Sequence, residues 1–184
     1  IDRRFKRERK IVNELGDIDG VVTAFDGGFT RTGSPFLAME YCQGRSIADR
    51  IKTVGPLSVN EVLAVGERVG FALDVAHRKG VTHRDVKPSN ILLMADGRSQ
   101  LADFGLAVIA EMTEALGEES RLAMTEVYAP PERLNPSDGE SEASDAAGDQ
   151  YSFALTLYAM LLGGTPFTGE TTTKRALKAL QGQI

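Results

Sequence analysis

Two apolar runs that flank an Asp-Gly pair constrain the fold of this chain more than any other sequence feature. Residues 91–94 form the first run, residues 101–102 form the second, and the Asp-Gly pair stands at positions 96 and 97. Such a pattern predicts two antiparallel strands joined by a tight turn. Asn90 directly precedes the first run, and Asp103 directly follows the second. The two residues are therefore expected close together at the open end of one hairpin, a geometry that suits shared coordination of a metal ion.

The residues on either side of this hairpin form two motifs. The sequence from His83 to Asn90 is His-Arg-Asp-Val-Lys-Pro-Ser-Asn, and Asp103 begins the sequence Asp-Phe-Gly. Together they resemble the catalytic loop and the metal-binding motif of protein kinases. The resemblance extends over almost the whole chain and is closest to the bacterial eukaryotic-like Ser/Thr protein kinases. It implies transfer of the ATP γ-phosphoryl group to Ser or Thr hydroxyls of protein substrates.

The resemblance also implies a role for each catalytic residue. Asp85 would be the catalytic base that accepts the proton of the substrate hydroxyl, and Lys87 would contact the γ-phosphate. Asn90 and Asp103 would hold Mg²⁺ through oxygen ligands. Thr125 would contact Asp85 and Lys87 from the end of the activation segment. Lys87 and Thr125 both match the Ser/Thr branch of the family rather than the tyrosine branch.

A second group of residues corresponds to the ATP-binding part of the family. Glu8 resembles the glutamate of the αC helix, which pairs with a lysine on a preceding strand. Met39 corresponds to the gatekeeper residue beside the adenine. The backbone of Glu40 and Cys42 would bind the adenine in the hinge, and Leu92 would form the apolar floor beneath it. ATP and Mg²⁺ are therefore the expected cofactors.

Three further residues carry structural expectations. Asp149 resembles the aspartate of the αF helix that holds the backbone of the catalytic loop. Glu132 ends a Pro-Pro-Glu sequence where the family usually has Ala-Pro-Glu, and it would make an anchoring ion pair. His77 stands near the end of a predicted helix, and we interpret it as a capping or packing residue.

Periodicity predicts both helices and strands, and the resemblance implies that they form an α+β, protein-kinase-like fold that is truncated. The Ser58–Glu61 capping box opens a helix that Gly80 ends, with Val62, Val65, Val69, Leu73 and Ala76 on its inner face. Segment 135–148 is expected to be an exposed connection, and residues 150–162, apolar nearly all round, are expected to form a helix buried on every side. The other predicted elements are helices at 1–15 and 171–181 and strands at 21–25 and 36–41, separated by Gly27-Gly28 and a turn at 31–34.

The resemblance divides these elements into two domains. Residues 1–42 would form a partial N-lobe and hinge, with the αC helix and two antiparallel strands. Residues 43–184 would form most of a mainly helical C-lobe. Neither a Gly-rich phosphate loop nor a strand bearing the lysine partner of Glu8 precedes the first predicted helix. We therefore expect residues 1–184 alone to be an inactive fragment of a longer kinase domain.

Composition excludes several other classes of function. The net charge of −5 argues against bulk attraction to nucleic acid or anionic lipid. Cys42 is the only cysteine, so an intrachain disulfide is impossible. No apolar run has the length of a membrane span, so no membrane contact is expected within this segment. These features favour a cytoplasmic domain, although an anchor outside the segment is compatible with them.

Two alternatives to a Ser/Thr protein kinase remain open. The chain could be a pseudokinase or another non-catalytic docking module, because the lysine partner of Glu8 is not in the sequence. It could also be a small-molecule phosphotransferase of related fold, which would share the base and the metal ligands. The sequence from Thr125 to Glu132 and the helix that carries Asp149 favour a protein substrate.

Overall fold

The computed structural model describes residues 18–32, 35–104, 127–130 and 142–167. The helices predicted at the two ends of the chain lie outside this part, and so do Glu8, Thr125 and Glu132. Within the described ranges the chain forms strands β1 Ala24–Phe29, β2 Pro35–Met39, β3 Ile91–Leu93 and β4 Ser99–Leu101, and helices α1 Ile47–Val54, α2 Val59–Arg78 and α3 Glu142–Leu162, with a short 3-10 turn at Pro88–Asn90. The mixture of helices and antiparallel strands that the sequence predicts is present.

The predicted hairpin is confirmed. Strands β3 and β4 pair antiparallel, with Ile91 opposite Leu101 and Leu92 opposite Gln100. Gly97 lies in the connecting turn with φ of 83°, a conformation that glycine adopts without steric cost. Ile91 and Leu101 are both fully buried, so the inner face of the hairpin belongs to the hydrophobic core.

The first predicted strand is displaced along the chain. We expected Gly27-Gly28 to interrupt it, and this was wrong, because both glycines lie within β1 and pair with β2. Backbone hydrogen bonds to a neighbouring strand override the weak strand propensity of glycine. Val21 was expected in the same strand and instead forms an isolated parallel bridge with Leu101. Strand β2 ends at Met39, two residues earlier than predicted.

Helix α1 was not predicted, although its start has a clear local cause. Ser46 and Asp49 form a reciprocal capping box, in which each side chain satisfies a backbone amide of the other. Ser followed three residues later by an acidic residue is a recognised signature of a helix start. Ile47, just inside this helix, is fully buried and anchors it to the core.

Helix α2 agrees with the prediction at both ends and on its inner face. Ser58 and Glu61 form the capping box, and Gly80 follows the helix with φ of 75°. The buried side chains of α2 are Val62, Val65, Val69, Ala72, Leu73 and Ala76. Their spacing of three and four residues places them on one stripe, and this stripe packs into the largest hydrophobic cluster among the described residues.

Helix α3 differs from its prediction in length and in burial. It begins at Glu142, so residues 142–148 are helical rather than part of an exposed connection. One side packs against α2, where Leu157 and Phe153 face Gly66 and Gly70. The side chains of Tyr158, Leu161 and Leu162 are exposed. The prediction of burial on every side was therefore wrong for the described part of the chain, because composition does not tell which side of a helix its neighbours cover. No helix in the described ranges is long and apolar enough to cross a membrane.

Candidate active site

The backbone of the His83–Asn90 loop is anchored by Asp149, a buried residue of α3. Oδ1 of Asp149 accepts a hydrogen bond from the amide of Arg84, and Oδ2 accepts one from the amide of His83, both at 2.7 Å. Burial alone raises the pKa of the Asp149 carboxyl, but hydrogen bonds from His77 and from the His83 amide hold the pKa below its usual value. Asp149 is therefore ionised at neutral pH, and it holds the loop backbone as the resemblance implies.

Backbone strain occurs at two residues of the site. Arg84 has φ of 68° and Asp103 has φ of 70°, in the left-handed region that residues other than glycine seldom adopt. Each residue in this conformation costs of order 1–3 kcal/mol, so surrounding contacts must hold it there. At Arg84, the two hydrogen bonds that Asp149 accepts from the amides of His83 and Arg84 do this. Strain of this kind concentrates at functional sites.

The carboxylate of Asp85 lies between two side chains of its own loop. Its Oδ2 is 2.5 Å from Nζ of Lys87, and it accepts a hydrogen bond of 3.1 Å from Nδ2 of Asn90. Asn90 Nδ2 also donates to the backbone carbonyl of Asp85 at 2.9 Å. Asp85 and Asn90 are both buried. The loop thus presents one carboxylate in a fixed orientation, as a positioned proton acceptor requires.

The hairpin brings Asn90 and Asp103 to the same place. The amide of Ala102 donates to the carbonyl of Asn90 at 2.8 Å, and Asp103 follows Ala102 directly. Because Nδ2 of Asn90 is engaged with Asp85, its Oδ1 points away from that contact, where it accepts from Ser89 at 3.3 Å. Asp103 is exposed. An amide oxygen and a carboxylate are therefore available at the open end of the hairpin.

The chemistry of these two oxygen donors fits Mg²⁺. In the described part of the chain, no three His, Cys, Asp or Glu residues come together as a metal cage. Mg²⁺ does not usually use an all-protein cage, because it binds through one or two protein oxygens together with waters and substrate phosphates. Asn90 and Asp103 match that requirement.

His83 lies beneath the site and is fully buried. Burial lowers the pKa of its imidazole, and the nearby Asp149 carboxylate only partly opposes this, so the ring is neutral at physiological pH. Its Nε2 lies 2.9 Å from the carbonyl of Ala102, and its Nδ1 accepts a 3.2 Å hydrogen bond from the amide of Asp85. A neutral ring with an accepting Nδ1 must donate from Nε2. His83 therefore links the Asp85 loop to the strand that leads to Asp103, and its ring also contacts that of Phe104, with centroids 4.5 Å apart.

Two of the residues expected to bind adenine, Leu92 and Cys42, lie in the hairpin and beside it. Sγ of Cys42 is 4.0 Å from Oε1 of Gln100, and Gln100 pairs with Leu92 across the two strands. Cys42 and Leu92 are half-buried. Burial, and secondarily the charge of Glu40, raises the pKa of the Cys42 thiol, which therefore stays protonated at neutral pH. This placement makes Cys42 a packing residue rather than a nucleophile.

The segment from Met39 to Glu40 leads from β2 into this region. The amide of Glu40 donates to the carbonyl of Thr23 at 2.8 Å, which fixes the end of β2. Met39 is partly exposed, and Tyr41 is 85% exposed. Gln100 is the residue here that sequence analysis did not identify. Its position opposite Leu92 follows from the hairpin register, but its contact with Cys42 depends on tertiary packing.

Gly44 permits the close approach of the connector after Cys42 to strand β3. A Cβ atom at Gly44 would overlap the carbonyl group of Leu93. The amide of Leu93 donates to the carbonyl of Arg45 at 2.9 Å, so the two backbones are joined at this point. Only glycine allows this contact without displacement of the backbone.

If the backbone of Glu40 and Cys42 binds adenine, as the resemblance implies, Gly44→Ala should raise the KM for ATP about tenfold, because the displaced connector moves that backbone. Overpacking of this kind typically costs about 1–3 kcal/mol, and 1.4 kcal/mol corresponds to a factor of about ten in binding. Steady-state kinetics at varied ATP concentration would measure it. Gly164→Ala is the matched control, since no neighbour lies within 4 Å of its added Cβ. An unchanged KM in Gly44→Ala would contradict the expectation.

Comparison with known proteins shows what this chain is similar to. The family model described as "protein kinase domain" matches residues 1–184. Serine/threonine-protein kinase PknL of Mycobacterium tuberculosis is 36% identical over 182 residues, which cover 98% of this chain and 43% of PknL. Serine/threonine-protein kinase PknK of the same organism is 38% identical over 160 residues, 87% of this chain and 14% of PknK. "Probable serine/threonine-protein kinase CPE1738" of Clostridium perfringens is 32% identical over 181 residues, 98% of this chain and 25% of that protein. The chain thus spans less than half the length of each relative.

Proposed function

The chain belongs to the protein kinase family, and from this premise we propose that the natural protein containing it transfers the γ-phosphoryl group of ATP to Ser or Thr hydroxyls of proteins. The observation that carries the proposal is the environment of Asp85. Its buried carboxylate is held between Lys87 and Asn90 in a loop whose backbone is anchored by Asp149. Kinase chemistry needs such a positioned acceptor for the proton of the attacking hydroxyl.

Each of the other loop residues has a place in this reaction. Asp85 accepts the substrate proton and orients the hydroxyl oxygen, while Asn90 keeps the carboxylate in place through its Nδ2. Lys87, now beside Asp85 at 2.5 Å, is close enough to serve a γ-phosphate presented to the same carboxylate. Thr125, which lies outside the described residues, is proposed to contact Asp85 and Lys87 when substrate binds.

Asn90 and Asp103 are proposed to hold Mg²⁺ through their side-chain oxygens. When bound, the ion neutralises phosphate charge and orients the phosphates for transfer. The hairpin supports this arrangement, because the hydrogen bond from the amide of Ala102 to the carbonyl of Asn90 keeps the residues next to Asp103 close to Asn90. The strained backbone of Asp103 turns the chain at the same point.

The adenine of ATP is proposed to lie against Leu92, with Met39 beside it and the backbone of Glu40 and Cys42 as its hydrogen-bonding edge. In this proposal residues 1–42 contribute the N-lobe side of the nucleotide site, including Glu8, and residues 43–184 contribute the C-lobe side. We further propose that the domain acts in the cytoplasm on protein substrates and that this segment contacts neither nucleic acid nor membrane.

The test is phosphate transfer by the natural protein that contains this domain. The protein would be incubated with Mg²⁺ and γ-labelled ATP, with either a generic unstructured protein or an aminoglycoside as acceptor. Acid hydrolysis and separation of phosphoamino acids should yield phosphoserine or phosphothreonine. Label on the aminoglycoside alone would favour a small-molecule phosphotransferase. ATP binding without transfer to either acceptor would favour a pseudokinase. Either of these two results would overturn the proposal.

A further inference from the structure

The loop that carries Asp85 meets helix α3 at a second point besides the Asp149 carboxylate, namely the hydroxyl group of Thr156. Thr156 is fully buried, and its Oγ1 lies 3.4 Å from the backbone carbonyl oxygen of Val86, 70 positions away in the chain. Val86 is fully buried as well. Asp149 and Thr156 are separated by about two helical turns, so both side chains lie on the same face of α3. The loop therefore runs along this face of the helix.

The two contacts with α3 lie on either side of Asp85. The Asp149 carboxylate accepts hydrogen bonds from the amides of His83 and Arg84, both at 2.7 Å. The Thr156 hydroxyl meets the carbonyl of the residue that directly follows Asp85. The backbone is thus attached to one helix both before and after the residue proposed as proton acceptor. Small misplacements of reacting groups reduce rates strongly, so an attachment on each side is functionally significant.

The carbonyl of Val86 also stands at the start of the segment that leads to the proposed metal ligands. Lys87 follows it directly, and the carbonyl of Lys87 accepts a 3.0 Å hydrogen bond from the amide of Asn90. The carbonyl of Asn90 in turn accepts from the amide of Ala102 at 2.8 Å. The orientation of the peptide group between Val86 and Lys87 therefore affects the positions of both Lys87 and Asn90.

The Thr156 hydroxyl has one proton and two acceptors near it. Besides the carbonyl of Val86, the carbonyl of Ser152 lies 2.8 Å from Oγ1, a common contact of threonine with the residue four positions earlier in a helix. The Ser152 carbonyl is also the regular acceptor for the backbone amide of Thr156. Among the described residues, the donor within hydrogen-bond distance of the Val86 carbonyl is the Thr156 hydroxyl. Because a buried carbonyl without a donor is costly, sharing this proton stabilises the loop.

We propose that Thr156 is a positioning residue for phosphoryl transfer, whose hydroxyl holds the Val86 carbonyl and thereby the backbone that presents Asp85 and Lys87. The inference rests on the proposed kinase function and deepens it. It assigns to that function a side chain that touches neither substrate nor nucleotide and acts through the backbone of the loop. Valine has nearly the same shape as threonine and would fill this apolar site, so packing alone does not require the hydroxyl.

Two variants of Thr156 in the natural protein separate the hydroxyl from packing. Thr156→Val keeps the shape and loses the donor, whereas Thr156→Ser keeps the donor and loses a buried methyl group. We expect Thr156→Val to lower kcat about three- to tenfold, the effect of losing one hydrogen bond, with little change in the KM for ATP. Thr156→Ser should keep most of the wild-type kcat, although the lost methyl group lowers its stability. A role in packing alone would give the larger loss of kcat in Thr156→Ser.

Ser152→Ala is the matched control for removal of a hydroxyl group from α3. Ser152 is also buried, and its Oγ donates to the carbonyl of Gly148 at 2.9 Å, within the helix rather than to the loop. Its removal should leave kcat at the wild-type value. A loss of kcat in Ser152→Ala as large as that in Thr156→Val would overturn the inference, because the contact with the loop would then be irrelevant.

Hydrogen exchange provides a readout that does not depend on activity. In Thr156→Val the amide of Asn90, which donates to the carbonyl of Lys87, should exchange faster than in the wild type. The amide of Arg84, which is held by Asp149, should keep its protection. Unchanged exchange at Asn90 would overturn the inference.

The kinetic results also distinguish failure of this inference from failure of the proposed function. Equal kcat in the wild type and Thr156→Val would overturn the inference alone, as would a larger loss in Thr156→Ser than in Thr156→Val. A wild-type protein without any phosphate transfer would overturn the proposed function and this inference with it.

Discussion

Asp85→Asn is expected to lower the rate of phosphoryl transfer by a factor of about 10²–10⁴, the usual contribution of a positioned acid or base. The amide is the same size as the carboxylate but cannot accept the proton of the attacking hydroxyl. It also loses the charge that faces Lys87 at 2.5 Å. The measurement is kcat of the natural protein with a saturating protein substrate. The KM for ATP should change little, because none of the residues proposed to bind adenine belongs to the loop that carries Asp85.

Asp96→Asn is the matched control for this variant. Asp96 lies in the turn at the opposite end of the hairpin, where its exposed carboxylate pairs with Arg98 at 2.5 Å. The same chemical change there should leave kcat unaltered. Asp85→Asn with near wild-type turnover, and with the substitution confirmed by mass, would remove Asp85 from the mechanism. A similar loss in both variants would point to a general effect of carboxylate removal on the hairpin.

The hairpin was predictable because its determinants are local. An Asp-Gly pair specifies the turn, and the apolar runs beside it specify the strands. A short stretch of sequence therefore predicts that Asn90 and Asp103 lie close together. The capping box of α1, at Ser46 and Asp49, is equally local and could have been found by the pattern used for α2.

Other features could not be obtained from local patterns. The side of α3 that is covered depends on which helices pack against it, and an all-apolar sequence does not contain that information. Gly27-Gly28 pairs within β1 because a partner strand is present, against the intrinsic preference of glycine. The contact of His77 with Asp149 joins residues 72 positions apart. Its sequence context indicated only a histidine near a helix end, for which capping or packing was a sufficient explanation.

The contacts of Asp149 and of Asp85 support their roles in different ways. The anchoring contact of Asp149 was implied by family resemblance and is present in the geometry. The proton-accepting role of Asp85 and the metal-binding roles of Asn90 and Asp103 remain proposals, supported by burial, hydrogen bonding and donor chemistry.

Asp149→Asn is expected to destabilise the domain by about 1–3 kcal/mol, the cost of leaving a buried hydrogen-bonding group unsatisfied. An asparagine side chain retains one oxygen, but its NH₂ group must face either the amide of Arg84 or the donors that meet Oδ2. At least one buried donor then has no acceptor. Because the loop that holds Asp85 loses its anchor, kcat should fall as well.

The pH dependence gives this prediction a definite sign. The pKa of Asp149 is lowered in the folded protein. Its contribution to the free energy of unfolding is therefore fully present above the unfolded pKa of about 3.9, and it is lost as the pH falls through the pKa of the folded state. The stability difference between wild type and Asp149→Asn should thus be complete at pH 7 and shrink only below about pH 4. Urea titration, with hydrogen exchange of the amides in α2 and α3 as the readout, would measure this stability difference within the domain. Asp74→Asn, an exposed carboxylate of α2, serves as control and should change neither stability nor rate. Equal stability of Asp149→Asn and the wild type at pH 7 would show that the loop is held by contacts other than this carboxylate.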